Sequence, residues 1–329
     1  MQRLKRFFYI IIYTIAMVVA IASMLSILRN TSSRYLKILD FPRIQLFLVS
    51  LLCLVFLLSM FKKWNKHHII SIIALLVGLV INGAYLINYT PLVSKAVPDA
   101  DTSVNATTLK VLLINVKMKN RDEKPTINII KETQPDLFVA MEVDQWWVNK
   151  LNYLKDNYPY SHTKANDVAY GLTIYSKIPF NNIKVQHLNN ENVPSFEMDL
   201  TFNDKKVKFY AIHPVPPTHF EDLPDNEGQQ EKSLVKLGNK IKNRKLPVIV
   251  AGDINDVVWS NVNALTETEN LLFDVRKGRG FYNSYNADIF FMRWPLDHVF
   301  VTKEFSVKRL ERLGYVGSDH YPIYIELTF

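Results

Sequence analysis

The chain contains a single cysteine, Cys53, among 329 residues, so no intramolecular disulfide can form. Paired-cysteine zinc ribbons are excluded for the same reason. No HExxH helix motif, GxGxxG turn or P-loop arrangement occurs, which removes zincins, dinucleotide-binding folds and P-loop kinases. Internal repeats and low-complexity segments are absent as well. Acidic residues are scarce at one end only: residues 1–100 hold 2 Asp+Glu against 11 Lys+Arg, whereas residues 101–329 hold 29 against 28. The formal charge of +8 therefore belongs to the N-terminal part, and the larger part is close to neutral. A duplex-binding surface needs clustered Lys and Arg to displace counterions. The one short basic run of the neutral part, residues 240–245, falls at the end of an expected helix, where cations suit the dipole.

Charge of either sign is missing from residues 7–28, 44–61 and 69–87, each close to the roughly 20 apolar residues a membrane-spanning helix needs. A signal peptide is the alternative for the first. The run is long for an apolar core of about 7 to 15 residues, and no small-x-small cleavage site follows it. Three spans are expected, giving a membrane domain over residues 1–88, a linker with Pro91 and Pro98 over 89–108, and a soluble domain over 109–329. Arg3, Lys5, Arg6, Lys62, Lys63 and Lys66 flank the spans on one side, and Arg29, Arg34, Lys37 and Arg43 on the other. The segment after the third span carries only Lys95 with Asp99 and Asp101, a lack of cations that suits the outer face. The expectation is an integral protein of the cell (cytoplasmic) membrane with its C-terminal domain on the exoplasmic or periplasmic side.

Beyond residue 108 the pattern changes to short apolar runs. Strands are expected over 109–115, 136–142, 170–175, 196–202, 207–213, 248–251, 298–301 and 321–327, with helices over 126–133, 146–157, 229–243 and 260–265. Many strands are consecutive, which argues for two packed β-sheets with helices outside, an α/β sandwich. Polar residues gather where these runs end: Asn115, Glu142, His213, Asp253 with Asn255, Asp297, and Asp319 with His320. Singly, each has a structural explanation, such as an Asx turn at Asp253 or a strand-end turn at Asn115. Together they suggest one shared rim, and a set of carboxylates and amides without thiols suits a hard cation such as Mg²⁺.

The order Asn115, Glu142, His213, then Gly252, Asp253, Ile254 and Asn255, then Asp297, then Ser318, Asp319, His320, Tyr321 and Pro322 resembles the endonuclease/exonuclease/phosphatase superfamily with its DNase I-like fold. His213 to Pro217, Gly278 to Phe281 and Pro295 to His298 resemble more closely a membrane-anchored, three-span branch that includes the vancomycin/teicoplanin-resistance J protein. The resemblance implies a four-layer sandwich and Mg²⁺-dependent (or Mn²⁺-dependent) hydrolysis of phosphate esters. By that resemblance Glu142, assisted by Asn115 and Asp319, would hold the metal, and Asp253 and Asn255 would position the attacking water and a phosphoryl oxygen. His320, oriented by Asp297, would be the general base or phosphate contact, and His213 would hold a non-bridging oxygen. Two positions depart from the nuclease pattern, Lys117 and His298, and the neutral domain departs with them. Lys117 is read as a solvated strand-end lysine, with a phosphate contact as its alternative.

Three spans hold the domain close to the bilayer, so membrane lipids are the expected partners and a lipid-linked phosphate, either a polyprenyl pyrophosphate or a phospholipid headgroup, the expected substrate. Nucleic acid is not an expected partner. Phe290, Phe291 and Trp294, just before Asp297, are candidate substrate contacts forming an apolar lip, with sheet-edge packing as the alternative. Trp146 and Trp147 read either as an interfacial anchor or as the start of a packed helix. The competing functions are an extracytoplasmic nuclease with the same metal residues and a non-catalytic envelope protein.

Overall fold

A computed structural model describes residues 2–29, 33–60, 65–101, 108–202, 204–217, 228–260, 264 and 266–329. The expected helix over 260–265 lies largely outside them. Three helices are long and apolar enough to cross a membrane: α1 (Gln2–Leu25), α3 (Arg43–Met60) and α4 (Lys66–Leu86). Between α1 and α3 stands a one-turn helix, α2 (Arg34–Lys37), running into a 3₁₀ turn (Ile38–Asp40). Most large apolar side chains of the spans face outward, as lipid contact requires, while Ala16, Ala20, Cys53, Leu54, Leu57 and Leu75 form the seam between helices.

One end of the bundle is tied by a polar network. Arg43 is fully buried. Its Nε donates to Asp40 Oδ1 at 2.8 Å and its Nη1 to Ser26 Oγ at 3.0 Å and Asn82 Oδ1 at 3.3 Å, so the residue that follows α1, the start of α3 and α4 meet at one side chain. Removing one partner of a buried charge pair leaves the other uncompensated, typically at about 3–5 kcal/mol. Asp40→Ala is therefore expected to lower the thermal midpoint of the detergent-solubilised chain clearly; an unchanged midpoint would mean that the network contributes little.

The remaining residues form two six-stranded sheets. The first runs β11 (Ser306–Arg312), β12 (Ile323–Thr328), β1 (Thr108–Asn115), β2 (Leu137–Met141), β4 (Leu172–Ser176) and β3 (Tyr160–Lys164). The second runs β5 (Phe180–Gln186), β6 (Ser195–Phe202), β7 (Lys205–Ala211), β8 (Val248–Asp253), β10 (Asp297–Val301) and β9 (Phe273–Asp274). Their inner faces meet in a core containing Val111, Leu113, Val139, Phe196, Phe209, Ile249, Val299 and Ile325. On the outer face of the first sheet, Ile130 of α5 (Lys124–Thr133) and Trp147 and Leu151 of α6 (Gln145–Leu151) cover Phe138 and Tyr175. On the second, Leu234, Leu237 and Ile241 of α7 (Gln229–Lys242) cover Val248 and Val250. The result is a four-layer α/β sandwich.

Two expectations need correction. The helix expected over 146–157 is α-helical only to Leu151 and tightens into a 3₁₀ stretch, Asn152–Asp156. Trp147 is fully buried beneath it, and Asp144 Oδ1 caps the helix by accepting from the Trp147 N–H at 3.0 Å, so the pair of tryptophans begins a packed helix and is no membrane anchor. The described part of the expected linker is also packed: Val97 joins the inter-sheet core and Val307 N donates to Pro98 O at 2.9 Å. The sandwich therefore sits directly on the tied end of the helix bundle. Leu86 and Tyr89 pack with Val257, Trp259, Trp294 and Leu296, and Trp259 Nε1 donates to Asp40 O at 2.7 Å.

Candidate active site

Strand direction explains why residues far apart in sequence share one rim. β1 and β2 are parallel, as are β7 and β8, and their C-terminal ends lie on the same side. β10 and β12 run antiparallel to β8 and β1, so their N-terminal ends arrive there too, with Asp297 directly opposite Asp253. Asn115 closes β1, Glu142 follows β2, His213 follows β7, Asp253 closes β8, Asp297 opens β10, and Asp319 and His320 precede β12. Gly252 is required at this rim, because its φ of +147° places the missing Cβ 1.9 Å from Ile212 O.

With Asn255, two residues beyond Asp253, the eight polar positions expected from the sequence come together. Asn115 Nδ2 donates to Glu142 Oε1 at 2.9 Å and to Asp253 Oδ2 at 3.1 Å, while Met118 N donates to Glu142 Oε2 at 3.2 Å. His320 Nδ1 lies 2.8 Å from Asp297 Oδ2, and its Nε2 lies 3.5 Å from Asp253 Oδ2. His213 Nε2 is 3.8 Å from the same oxygen. Asn255 N donates to Asp253 Oδ1 at 2.8 Å and Asn255 Nδ2 to Pro214 O at 2.9 Å, which fixes the amide. Glu142 and Asn255 both adopt left-handed backbone, at φ 60° and 58°. Such outliers persist only where surrounding structure enforces them, and they concentrate at functional sites.

The electrostatics are those of groups buried together. Burial pushes the Glu142 carboxyl up, against the hydrogen bond from Asn115. Burial raises Asp253 as well, with the His320 ring working the other way. For His320 burial opposes the charge, but Asp253 and Asp297 outweigh it and raise its pKa. His213, buried beside His320, is pushed down to about 3 and is neutral at physiological pH. Its Nδ1 has no hydrogen-bond partner among the described residues.

Two donor sets stand side by side. Asp253, Asp297 and His320 offer atoms within 4.8 Å of one another. In that set the 2.8 Å contact between His320 Nδ1 and Asp297 Oδ2 already engages two of the donors. Glu142 and Asp319 present carboxylate oxygens, the hard donors that Mg²⁺ or Mn²⁺ prefers; the Asn115 oxygen accepts from Lys117 N at 3.0 Å while its NH₂ holds Glu142, and burial leaves the Glu142 carboxylate in want of a compensating cation. The residues present thus fit a divalent metal.

A cavity of about 790 Å³ opens over these groups. Glu142, His213, Asn255, Asp319 and His320 line it, and so do Tyr170, Tyr285 and Trp294. Of the expected apolar lip, Trp294 reaches the cavity, stacked against Tyr285 at 6.2 Å, whereas Phe290 and Phe291 do not line it. They are 81% and 71% exposed at the tip of a turn. Asn286 Oδ1 accepts from Asp288 N and Ile289 N, and Gln45 of α3 donates to Phe291 O at 2.8 Å, which holds the backbone of this turn against the membrane domain. Lys117 is not a free strand-end lysine: its Nζ lies 3.4 Å from Asp319 and 3.5 Å from Asp288.

Other contributors carry no signal of their own in the sequence. Ser284 Oγ accepts from Leu296 N and Asp297 N, both at 3.2 Å, and so fixes the carboxylate that holds His320. The Tyr285 ring lies 4.9 Å from the His320 ring. Ile38, Leu39, Phe41 and Pro42 line the cavity from the membrane domain.

Two face-to-face sheets with carboxylate, amide and imidazole groups at one rim define a phosphoester hydrolase of the DNase I-like kind. The chain belongs to the Endonuclease/Exonuclease/phosphatase family, whose profile matches residues 112–320. Among solved structures it is similar to D. rerio TDP2 complexed with single-strand DNA product, at 17% identity and TM-score 0.56, over 68% of this chain and 100% of that one. It is also similar to the human Nocturnin catalytic domain with bound sulfate, at 17% identity and TM-score 0.54, over 68% and 94%. A family protein from Leptotrichia buccalis matches at 16% identity and TM-score 0.54, over 67% and 100%. No curated protein matches the sequence. The chain is accordingly a metal-dependent phosphoric ester hydrolase.

Proposed function

We propose that the protein is a membrane-anchored, Mg²⁺-dependent phosphoesterase that acts outside the cytoplasm on a lipid-linked phosphate, such as a polyprenyl pyrophosphate or a phospholipid headgroup. The observation that carries this reading is the cavity itself, in which the catalytic groups and apolar side chains of the membrane domain line one space.

Glu142, Asn115 and Asp319 would hold the metal, which when bound neutralises charge on a phosphoryl oxygen and lowers the pKa of a coordinated water. The chain's own residues do the rest. Neutral His213 donates an N–H toward a non-bridging oxygen. Asn255 Oδ1 orients the water. Asp253 and His320 form one proton-sharing pair that takes the proton of the water, and Asp297 fixes the tautomer of the imidazole. Phe290 and Phe291, exposed beside the first turn of α3, are suited to the bilayer interface.

A panel of long-chain lipid phosphates, nucleotides and DNA, offered with Mg²⁺ to the purified full chain and with His320→Ala as blank, tests the substrate class. Preference for the lipids supports the reading; preference for DNA would replace it with a nuclease. For the topology, a reporter enzyme active only outside the cytoplasm, fused after Phe329, is expected to be active. Activity of a cytoplasmic reporter alone would reverse the orientation.

A further inference from the structure

The catalytic cavity is not built by the catalytic domain alone. Ile38, Leu39, Phe41 and Pro42, from the turn between the first and second spans, line it together with Met292 and Trp294. This turn is fixed in place. Trp259 Nε1 donates to Asp40 O at 2.7 Å, Lys37 is ion-paired with Glu231 of α7, and the Phe41 ring meets Trp294 edge-on at 5.7 Å. Its depth is set as well, because α3 begins at Arg43, immediately after Pro42. The turn therefore stands where the chain enters the apolar phase, while Glu142 and His320 of the same cavity lie among the groups suited to phosphate.

We propose that the turn Ile38–Pro42 is a specificity-determining wall of the active site that takes the first segment of a single acyl or prenyl chain while the phosphate lies at Glu142 and His320. The proposal rests on the lipid-phosphate reading above and deepens it: the membrane domain selects the substrate in addition to tethering the enzyme. Ile38 is 45% exposed, an apolar side chain left for a ligand to cover. Within the cavity this turn offers no cation to a neighbouring phosphate, so a polynucleotide would set charged backbone against Ile38, Leu39 and Phe41. A cavity of about 790 Å³ is within the ordinary range for ligand sites and has room for a headgroup and part of a chain.

The test compares two lipid phosphates with the same headgroup, one of short and one of long chain, with the full protein in nanodiscs. Wild type is expected to favour the long chain. Ile38→Asn and Leu39→Asn are each expected to reduce the long-to-short ratio of kcat/KM about tenfold, mainly through KM, since each removes apolar contact of roughly one side chain. Because Ile38 is exposed, its exchange does not disturb the core, and an unchanged melting temperature checks this. Variants that keep the wild-type ratio overturn the proposal while leaving the lipid-phosphate reading intact. Wild type that hydrolyses DNA or a soluble ester but neither lipid overturns both.

Discussion

Glu142→Ala is expected to reduce phosphoester hydrolysis by about a thousandfold or more, the scale of losing a principal charge-stabilising group in a hydrolase. Glu142 follows β2 in left-handed backbone, and its two carboxylate oxygens are aligned by the Asn115 amide and the Met118 N–H. The conservative Glu142→Gln retains the shape and removes the charge, so a comparable loss in both variants assigns the effect to the carboxylate. Mn²⁺ titration by calorimetry should weaken in parallel, while the thermal midpoint stays near or above that of wild type because a buried carboxylate has been removed. Activity within a few fold of wild type would discard Glu142 as the metal residue.

His320→Ala is expected to lower the rate by about 10²–10⁴-fold, the usual contribution of a positioned proton-transfer group. Asp297→Asn should approach that loss without touching substrate, because Asp297 acts through the 2.8 Å contact that orients the ring. Residues working as one unit are not additive. The double variant is thus expected to be barely slower than His320→Ala alone, and losses that multiply would show that Asp297 has a separate task. Ser284→Ala, which removes the hydroxyl fixing the Leu296 and Asp297 amides, should follow Asp297→Asn in a milder form.

The part of the fold legible in the sequence has a simple physical boundary. The eight strands read from apolar runs are β1, β2, β4, β6, β7, β8, β10 and β12, which are the interior strands of the two sheets. The four that escaped, β3, β5, β9 and β11, are the edges. An interior strand is covered on both faces and reads as a continuous apolar run, as in Leu137–Met141. An edge strand such as Ser306–Arg312 keeps Lys308, Arg309 and Glu311 toward solvent, which blunts pairing with other chains and also hides the strand from a hydrophobicity reading.

The site divides in the same way. Asn115, Glu142, Asp253 and Asp297 were visible because a polar residue at the end of a buried run is conspicuous. Ser284 and Tyr285 were not, since they lie in an irregular segment without a period. The wall formed by Ile38, Leu39, Phe41 and Pro42 could not be read at all, because only the packing of two domains brings residues of the membrane part to a site more than a hundred positions later. The hold on the turn that carries Phe290 and Phe291 likewise comes from Gln45, a partner 246 residues from Phe291.

The most direct test of a metal-dependent phosphoesterase acting on lipid is hydrolysis of a long-chain lipid phosphate by the full chain in ¹⁸O-water with Mg²⁺, followed by mass spectrometry of the products. Water attack at phosphorus predicts one ¹⁸O in a phosphate-bearing product, no label in the lipid alcohol, and no release when Mg²⁺ is chelated or Glu142 is replaced by alanine. Label in the alcohol, or release that persists without metal, would contradict the account.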